Sequence, residues 1–188
     1  WAIINREDET GVTTMLMDKG MDTGAILLSA RTPIGPEDTT AHLQDRLADL
    51  GAEVLIETLS QMAAETLTPQ PQNHALATYA PLLKKADGHI QWQTPAVCIE
   101  AFIRGMSPWP GAFTFDAQNR LRIFKAEALP AKADAPPGTV VPGFPDELRV
   151  ATGQGILAIR EIQGASGKRL AIRDYLRGHA IAVGTVFQ

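Results

Sequence analysis

Apolar and polar positions follow a short period at the start of the chain, a helical period after residue 38, and short apolar runs again beyond residue 88. Residues 11–17, Gly-Val-Thr-Thr-Met-Leu-Met, are β-branched or apolar and predict a strand that ends at the turn residues Asp18-Lys19-Gly20. A second extended stretch, residues 25–32, stops at Pro33. Asp38 or Thr39 can then accept hydrogen bonds from the free amides of a helix start. Leu43, Leu47, Leu50, Val54, Leu59 and Met62 follow at three-to-five residue spacing, which predicts one buried stripe on a helix reaching Glu65, with Glu53, Glu57 and Glu65 facing water. Thr68-Pro-Gln-Pro-Gln-Asn73 has no period and reads as a linker, extended by residues 79–87.

The second half is mostly β in pattern. Residues 89–92 predict a strand, and Pro95 opens a helix to Arg104. Strands are predicted at 111–115, 121–128, 148–151 and 156–162, separated by Gln118-Asn119, Pro136-Pro137-Gly138 and Gly153-Gln154-Gly155. A short helix over 172–177 ends at Gly178, and residues 185–187 can close the sheet. Many short strands with small helices point to a small barrel of the oligonucleotide-binding (OB) type. The fold class expected is therefore α/β in the first part, followed by an OB-like β-barrel.

Charge separates the two parts further. Residues 1–86 carry 6 Lys and Arg against 12 Asp and Glu, whereas residues 87–188 carry 11 against 9. The second part is the more tolerant of an anionic partner. Hydrophobic residues make up 45% of the 188, which excludes a disordered chain, and no apolar run is long enough to span a bilayer. The single cysteine, Cys98, cannot form an internal disulfide and fits a reducing compartment, so a cytoplasmic location is expected. The chain opens on Trp1 in mid-pattern and is expected to be part of something longer.

The sharpest local signal is Asp22-Thr23-Gly24, a carboxylate in a turn between two strands. It can serve a reacting amine as proton acceptor, or it can close an Asx-type turn. Asp-Thr-Gly-Ala also resembles the aspartic-protease loop, but those enzymes need two such carboxylates and this chain has one copy. Gly-rich phosphate-binding motifs are missing, and His42, His74, His89 and His179 lack ligand spacing, so no metal is expected. Cys98 falls among apolar neighbours and reads as packed. In Ser107-Pro-Trp-Pro-Gly111, Trp109 reads as a core residue at a corner, with base or domain stacking as its other use. Arg120, Arg122, Lys168, Arg169 and Arg173 offer flexible cations for phosphates or a solvated polar face.

In order, several strings resemble the methionyl-tRNA formyltransferase family. They are Glu9-Thr-Gly-Val-Thr13, Met15-Leu-Met-Asp-Lys-Gly-Met-Asp-Thr-Gly24, Glu37-Asp-Thr39, Tyr79-Ala80 through Lys84, Ile90-Gln-Trp92, Pro108-Trp-Pro-Gly111, and Thr152-Gly-Gln-Gly155 through Thr185. The resemblance implies that residues 1–67 are the carboxyl-terminal part of a doubly wound, folate-dependent formyltransferase domain, 68–86 a linker, and 87–188 the tRNA-binding OB-like barrel. It implies formyl transfer from 10-formyltetrahydrofolate to the α-amino group of initiator methionyl-tRNA, without a metal or a membrane. Asp22 maps onto the family's catalytic Asp, and Asp18, Lys19, Gly20, Met21, Asp22 and Thr23 onto its folate-contacting loop. Arg120, Arg122, Lys168, Arg169 and Arg173 are the tRNA contacts expected from charge. The family's Asn, and the His of its His-x-Ser-Leu-Leu-Pro string, precede the matching region, so the isolated chain is expected to be inactive. The alternatives are a non-enzymatic RNA-binding module, and a folate enzyme whose acceptor is water or an amino sugar. The sequence leaves the oligomeric state open.

Overall fold

A β-branched run, a glycine-containing turn and a second apolar run fold into an antiparallel hairpin of β1 (Glu9–Met15) and β2 (Ile26–Pro33). Its register runs from Glu9↔Pro33 to Thr14↔Leu28 and slips at Met15↔Ile26. Helix α1 (Thr40–Ala63) starts at Thr39, whose side chain accepts from the His42 amide, and packs on the hairpin. Asp38 accepts from the Gly35 amide and pairs with Arg46 at 2.6 Å, which ties the helix start to its second turn. Leu43, Val54 and Thr58 are buried, and Leu47 and Leu50 are half-buried. Leu59 and Met62 are exposed instead of completing the expected stripe. The five-residue step from Val54 overshoots the helical turn, so Thr58 takes the inner position. Its hydroxyl bonds Val54 O at 2.7 Å and the Thr14 hydroxyl at 2.8 Å.

This computed structural model describes residues 1–165 and 167–188. The chain divides into two compact units: Glu7–Leu82, and Leu83–Gln188 together with Trp1–Arg6. The stretch read as a linker is partly ordered into 3-10 turns, His74–Leu76 and Lys85–Gly88.

The larger unit is a curled antiparallel sheet with helix α2 (Ala96–Gly105) on it. Its strands are β3 (Ala112–Asp116), β4 (Asn119–Leu129), β5 (Val140–Val141), β6 (Leu148–Ala151), β7 (Ile156–Gln163) and β8 (Leu170–Ala171). The order is β3-β4-β7-β6-β5, with β8 also on β7, and α3 (Ile172–Gly178) follows directly. Alternation along β4 and β7 puts Leu121, Ile123, Leu157, Ile159 and Ile162 into a core shared with Ile99, Ile103 and Met106. Trp92 donates its indole N–H to the buried Thr114 hydroxyl at 3.0 Å, and that hydroxyl donates to Gln188 O at 2.8 Å. The carboxyl-terminal segment bridges Asp116 through Phe187 and Thr139 through Val186.

Three expectations change here. Residues 89–92 form no strand, only a parallel bridge from His89 to Phe113, because the chain turns at Gln91–Thr94 to enter α2. Trp109 is 51% exposed rather than in the core, while its neighbour Pro110 is buried. Cys98 is half-buried, and its sulfur lies 3.9 Å from an Arg6 guanidinium nitrogen beside a cavity of about 200 Å³.

Candidate functional site

The loop between β1 and β2 is built to hold one carboxylate outward. At its base, the Leu16 amide donates to Ala25 O at 2.9 Å. A Cβ on Gly24 would lie 1.6 Å from Leu16 O, so only glycine lets the two arms of the loop approach so closely. Asp18, not Asp22, closes the turn: its Oδ1 accepts from the Gly20 amide at 2.9 Å and from the Thr23 hydroxyl at 2.6 Å. The Thr23 hydroxyl, then the Gly20 amide, hold the Asp18 carboxyl below the usual carboxylate range, with a smaller contribution from the charge of His74.

Asp22 sits at φ 55°, in the left-handed region that Asp tolerates better than most residues. Its carboxylate is exposed and has no hydrogen-bond partner among the described residues. Lys19, Gly20 and Met21 are exposed beside it, and Thr23 is half-buried by its bond to Asp18. The loop is therefore closed at its entry by Asp18 and open in chemistry: the Asp22 carboxylate is available to an amine or to a polarised ligand group. Met17 at 93% exposure and Met21 at 80% flank it with uncovered apolar surface.

Sequence reasoning missed one residue of this loop. The Gln72 side-chain amide donates to Asp22 O at 2.8 Å and Gly24 O at 2.7 Å. Gln70 pairs with Ile26 through two backbone bonds of 2.8 Å, and this brings Gln72 alongside. The pairing joins residues 44 positions apart, and the Pro-Gln-Pro-Gln string carries no local sign of it.

An acid titration follows from the depressed Asp18 carboxyl. Because its folded value lies below the unfolded one, its hold on the loop is complete above the ordinary Asp value of about 3.9. The hold weakens only as pH falls through the lower, folded value. The Gly20 amide resonance is expected to be flat above about pH 4 and to titrate with a midpoint below the ordinary Asp value. A midpoint at or above that value would contradict the hydrogen-bonded turn.

The five candidate cations are only partly gathered. Arg122 and Arg169 both lie over the Phe124 ring, at 5.1 and 4.7 Å from its centroid. Arg122 is half-buried, with its guanidinium packed where a Gly111 Cβ would stand, so it is less free than its position on the strand implied. Arg169 also pairs with Glu161. Arg120 lies 3.8 Å over Phe113, the strand partner of Arg122. Lys168 is exposed at the rim of a cavity of about 360 Å³ that Tyr175 and His179 also line. Arg173, on α3, pairs with Asp174 at 3.7 Å rather than joining the Phe124 group. Among the described residues, no group of three or more His, Cys, Asp or Glu side chains converges as a metal site would require.

The chain belongs to the formyl transferase family: residues 1–59 match the formyl transferase model and 82–180 the formyl transferase C-terminal domain. Over its whole length it is 48% identical to the methionyl-tRNA formyltransferase of Caldanaerobacter subterraneus subsp. tengcongensis, of which it covers 60%. It is 45% identical over 98% of its length to the enzyme of the same name from Citrifermentans bemidjiense, of which it covers 57%. The chain thus spans about three-fifths of the length of these relatives. Among solved structures, an N-formyltransferase from Helicobacter canadensis in complex with folinic acid and dTDP-3-aminofucose has a TM-score of 0.66 at 19% identity. The match covers 90% of this chain and 59% of that one, and it establishes likeness of fold.

Proposed function

We propose that the protein carrying this chain transfers a formyl group from 10-formyltetrahydrofolate to the α-amino group of initiator methionyl-tRNA, supplying translation initiation. What carries the reading is 45–48% identity, across nearly the whole chain, to proteins named for that reaction. The free, outward carboxylate of Asp22 is the chemistry that the reaction asks of this segment. In the transfer, the amine nitrogen forms a bond to the formyl carbon, the amine gives up a proton, and the bond to the folate nitrogen breaks as that nitrogen is protonated. Asp22 accepts or holds the amine proton, which leaves the lone pair free for attack. The developing oxyanion needs donors from elsewhere in the protein. The loop Asp18–Thr23 contacts the folate, with Lys19, Gly20 and Met21 at the open side.

Residues 1–67 serve as the carboxyl-terminal part of a doubly wound folate domain, with 68–86 as the linker. Residues 87–188 serve as an OB-like barrel for tRNA. In support, the carboxyl-terminal segment pairs with both β3 and the residue before β5, so both sheet edges have a common partner. Arg120, Arg122, Lys168, Arg169 and Arg173 are the tRNA contacts, with Arg122 and Arg169 acting as a pair over Phe124. A cytoplasmic location fits the reaction and the lone, unbridged Cys98. Among the described residues, no helix is long and apolar enough to cross a membrane.

The tRNA side is tested by salt titration of methionyl-tRNA binding. Neutralising Lys168 and Arg169 together is expected to weaken binding and to flatten the salt slope by about one unit for each phosphate that is no longer neutralised. An unchanged slope would remove these residues from the interface.

A further inference from the structure

We propose that Gln72 is a positioning residue that clamps the Asp22 loop; the proposal rests on the reading of Asp22 as the catalytic carboxylate. Its side-chain nitrogen lies 2.8 Å from Asp22 O and 2.7 Å from Gly24 O. Both are carbonyl oxygens, which can only accept, and the Met15 sulfur 3.9 Å away is a weak acceptor, so the NH2 end of the amide must face them. One side chain therefore spends both of its donors on two carbonyls two residues apart.

Those carbonyls set the backbone geometry from which the Asp22 side chain departs. The Asp22 carbonyl belongs to the peptide unit that leaves its left-handed conformation, at φ 55°. Fixing that unit fixes the Cα–Cβ direction of Asp22, which limits where its carboxylate can reach. Asp18 secures the entry of the loop through Gly20 and Thr23. Nothing in that turn holds the Asp22 or Gly24 carbonyl, so Gln72 supplies the restraint that the turn lacks. Gln72 is itself anchored, because the backbone of Gln70 pairs with Ile26 at the start of β2. A side chain from the connecting segment thus enters the geometry of the loop without touching the reacting atoms. A merely structural glutamine would contribute to stability alone. A positioning one changes the rate of the chemical step, because attack geometry is sensitive to displacements of about 1 Å.

The test uses Gln72→Glu, nearly isosteric but without a donor when ionised, and Gln72→Ala. In this chain, the backbone amide order parameters of residues 22–24 are expected to fall in either variant from the ordered range, about 0.85, to below about 0.6, with those of β1 and β2 unchanged. In the enzyme expressed from the complete reading frame, kcat for formylation of methionyl-tRNA is expected to fall about 10- to 100-fold while KM for the tRNA stays within about 2-fold. Unchanged order parameters at residues 22–24 overturn the proposal, as does a loosened loop with kcat retained. If the unsubstituted enzyme does not formylate methionyl-tRNA, it is the functional reading that fails. The order parameters then decide the clamp alone: a fall at residues 22–24 supports it and no change overturns it.

Discussion

Asp22→Asn in the enzyme expressed from the complete reading frame is expected to lower kcat for formylation of methionyl-tRNA by about 10²- to 10⁴-fold, the range for removing a general acid–base group. The substitution removes the charge and the proton-accepting oxygen while keeping size and shape. It leaves the backbone at ease, because Asn shares with Asp the tolerance for the left-handed region that φ 55° requires. Since the carboxylate bonds to no described residue, the substitution breaks no hydrogen bond of the fold, and Tm should not move. On the proposed assignment of the tRNA contacts to Arg120, Arg122, Lys168, Arg169 and Arg173, none of which is Asp22, KM for the tRNA should change little. Steady-state kinetics on charged initiator tRNA read both quantities. A kcat within about 3-fold of the parent would take Asp22 out of the chemistry.

Ile159→Ala is expected to cost about 2–5 kcal/mol of folding stability, the range for deleting a buried Ile side chain. Ile159 is fully buried on β7, opposite Leu148 of β6 on one side and Ala126 of β4 on the other. The strand lies inside the sheet, and its neighbours are held by backbone ladders, so the cavity cannot collapse easily. Against a typical stability of about 5–15 kcal/mol, that loss removes a large share. Urea unfolding of this chain should show a lower midpoint with an unchanged slope. A loss under about 1 kcal/mol would mean that the core repacks around the site.

The fold was legible where the pattern is local. β1, β2, α1, α2, β4 and β7 each carry their own period, and the structure forms all six within a few residues of the expected bounds. β5 and β8, two residues each, were not legible, because Val140 and Leu170 become strand only through partners at Val150 and Ile162. Leu59 and Met62 were misplaced because spacing alone does not register a turn that overshoots. Trp109 read as core on its chemistry, but the chain path between Pro108 and Pro110 leaves it half outside. At the loop, the sequence singled out the Asp-Thr-Gly string and left open whether Asp22 closes the turn. Only the fold shows that Asp18 does so and that Asp22 is free of it. Gln72 lay beyond reach, since its role depends on a pairing made 44 residues away. Among the five cations, charge and position were legible but their partners were not. Glu161 and Asp174 occupy Arg169 and Arg173, and aromatic rings hold Arg120 and Arg122.

The central claim, formyl transfer to methionyl-tRNA, is tested most directly by an acceptor comparison. Protein expressed from the complete reading frame is supplied with 10-formyltetrahydrofolate and, in parallel, charged initiator tRNA or a nucleotide-linked amino sugar. Formylmethionyl-tRNA forming at catalytic rates, with no formylated sugar, is the expected result. Formyl transfer to the sugar alone, or release of formate without transfer to the tRNA by protein that binds folate, would contradict it.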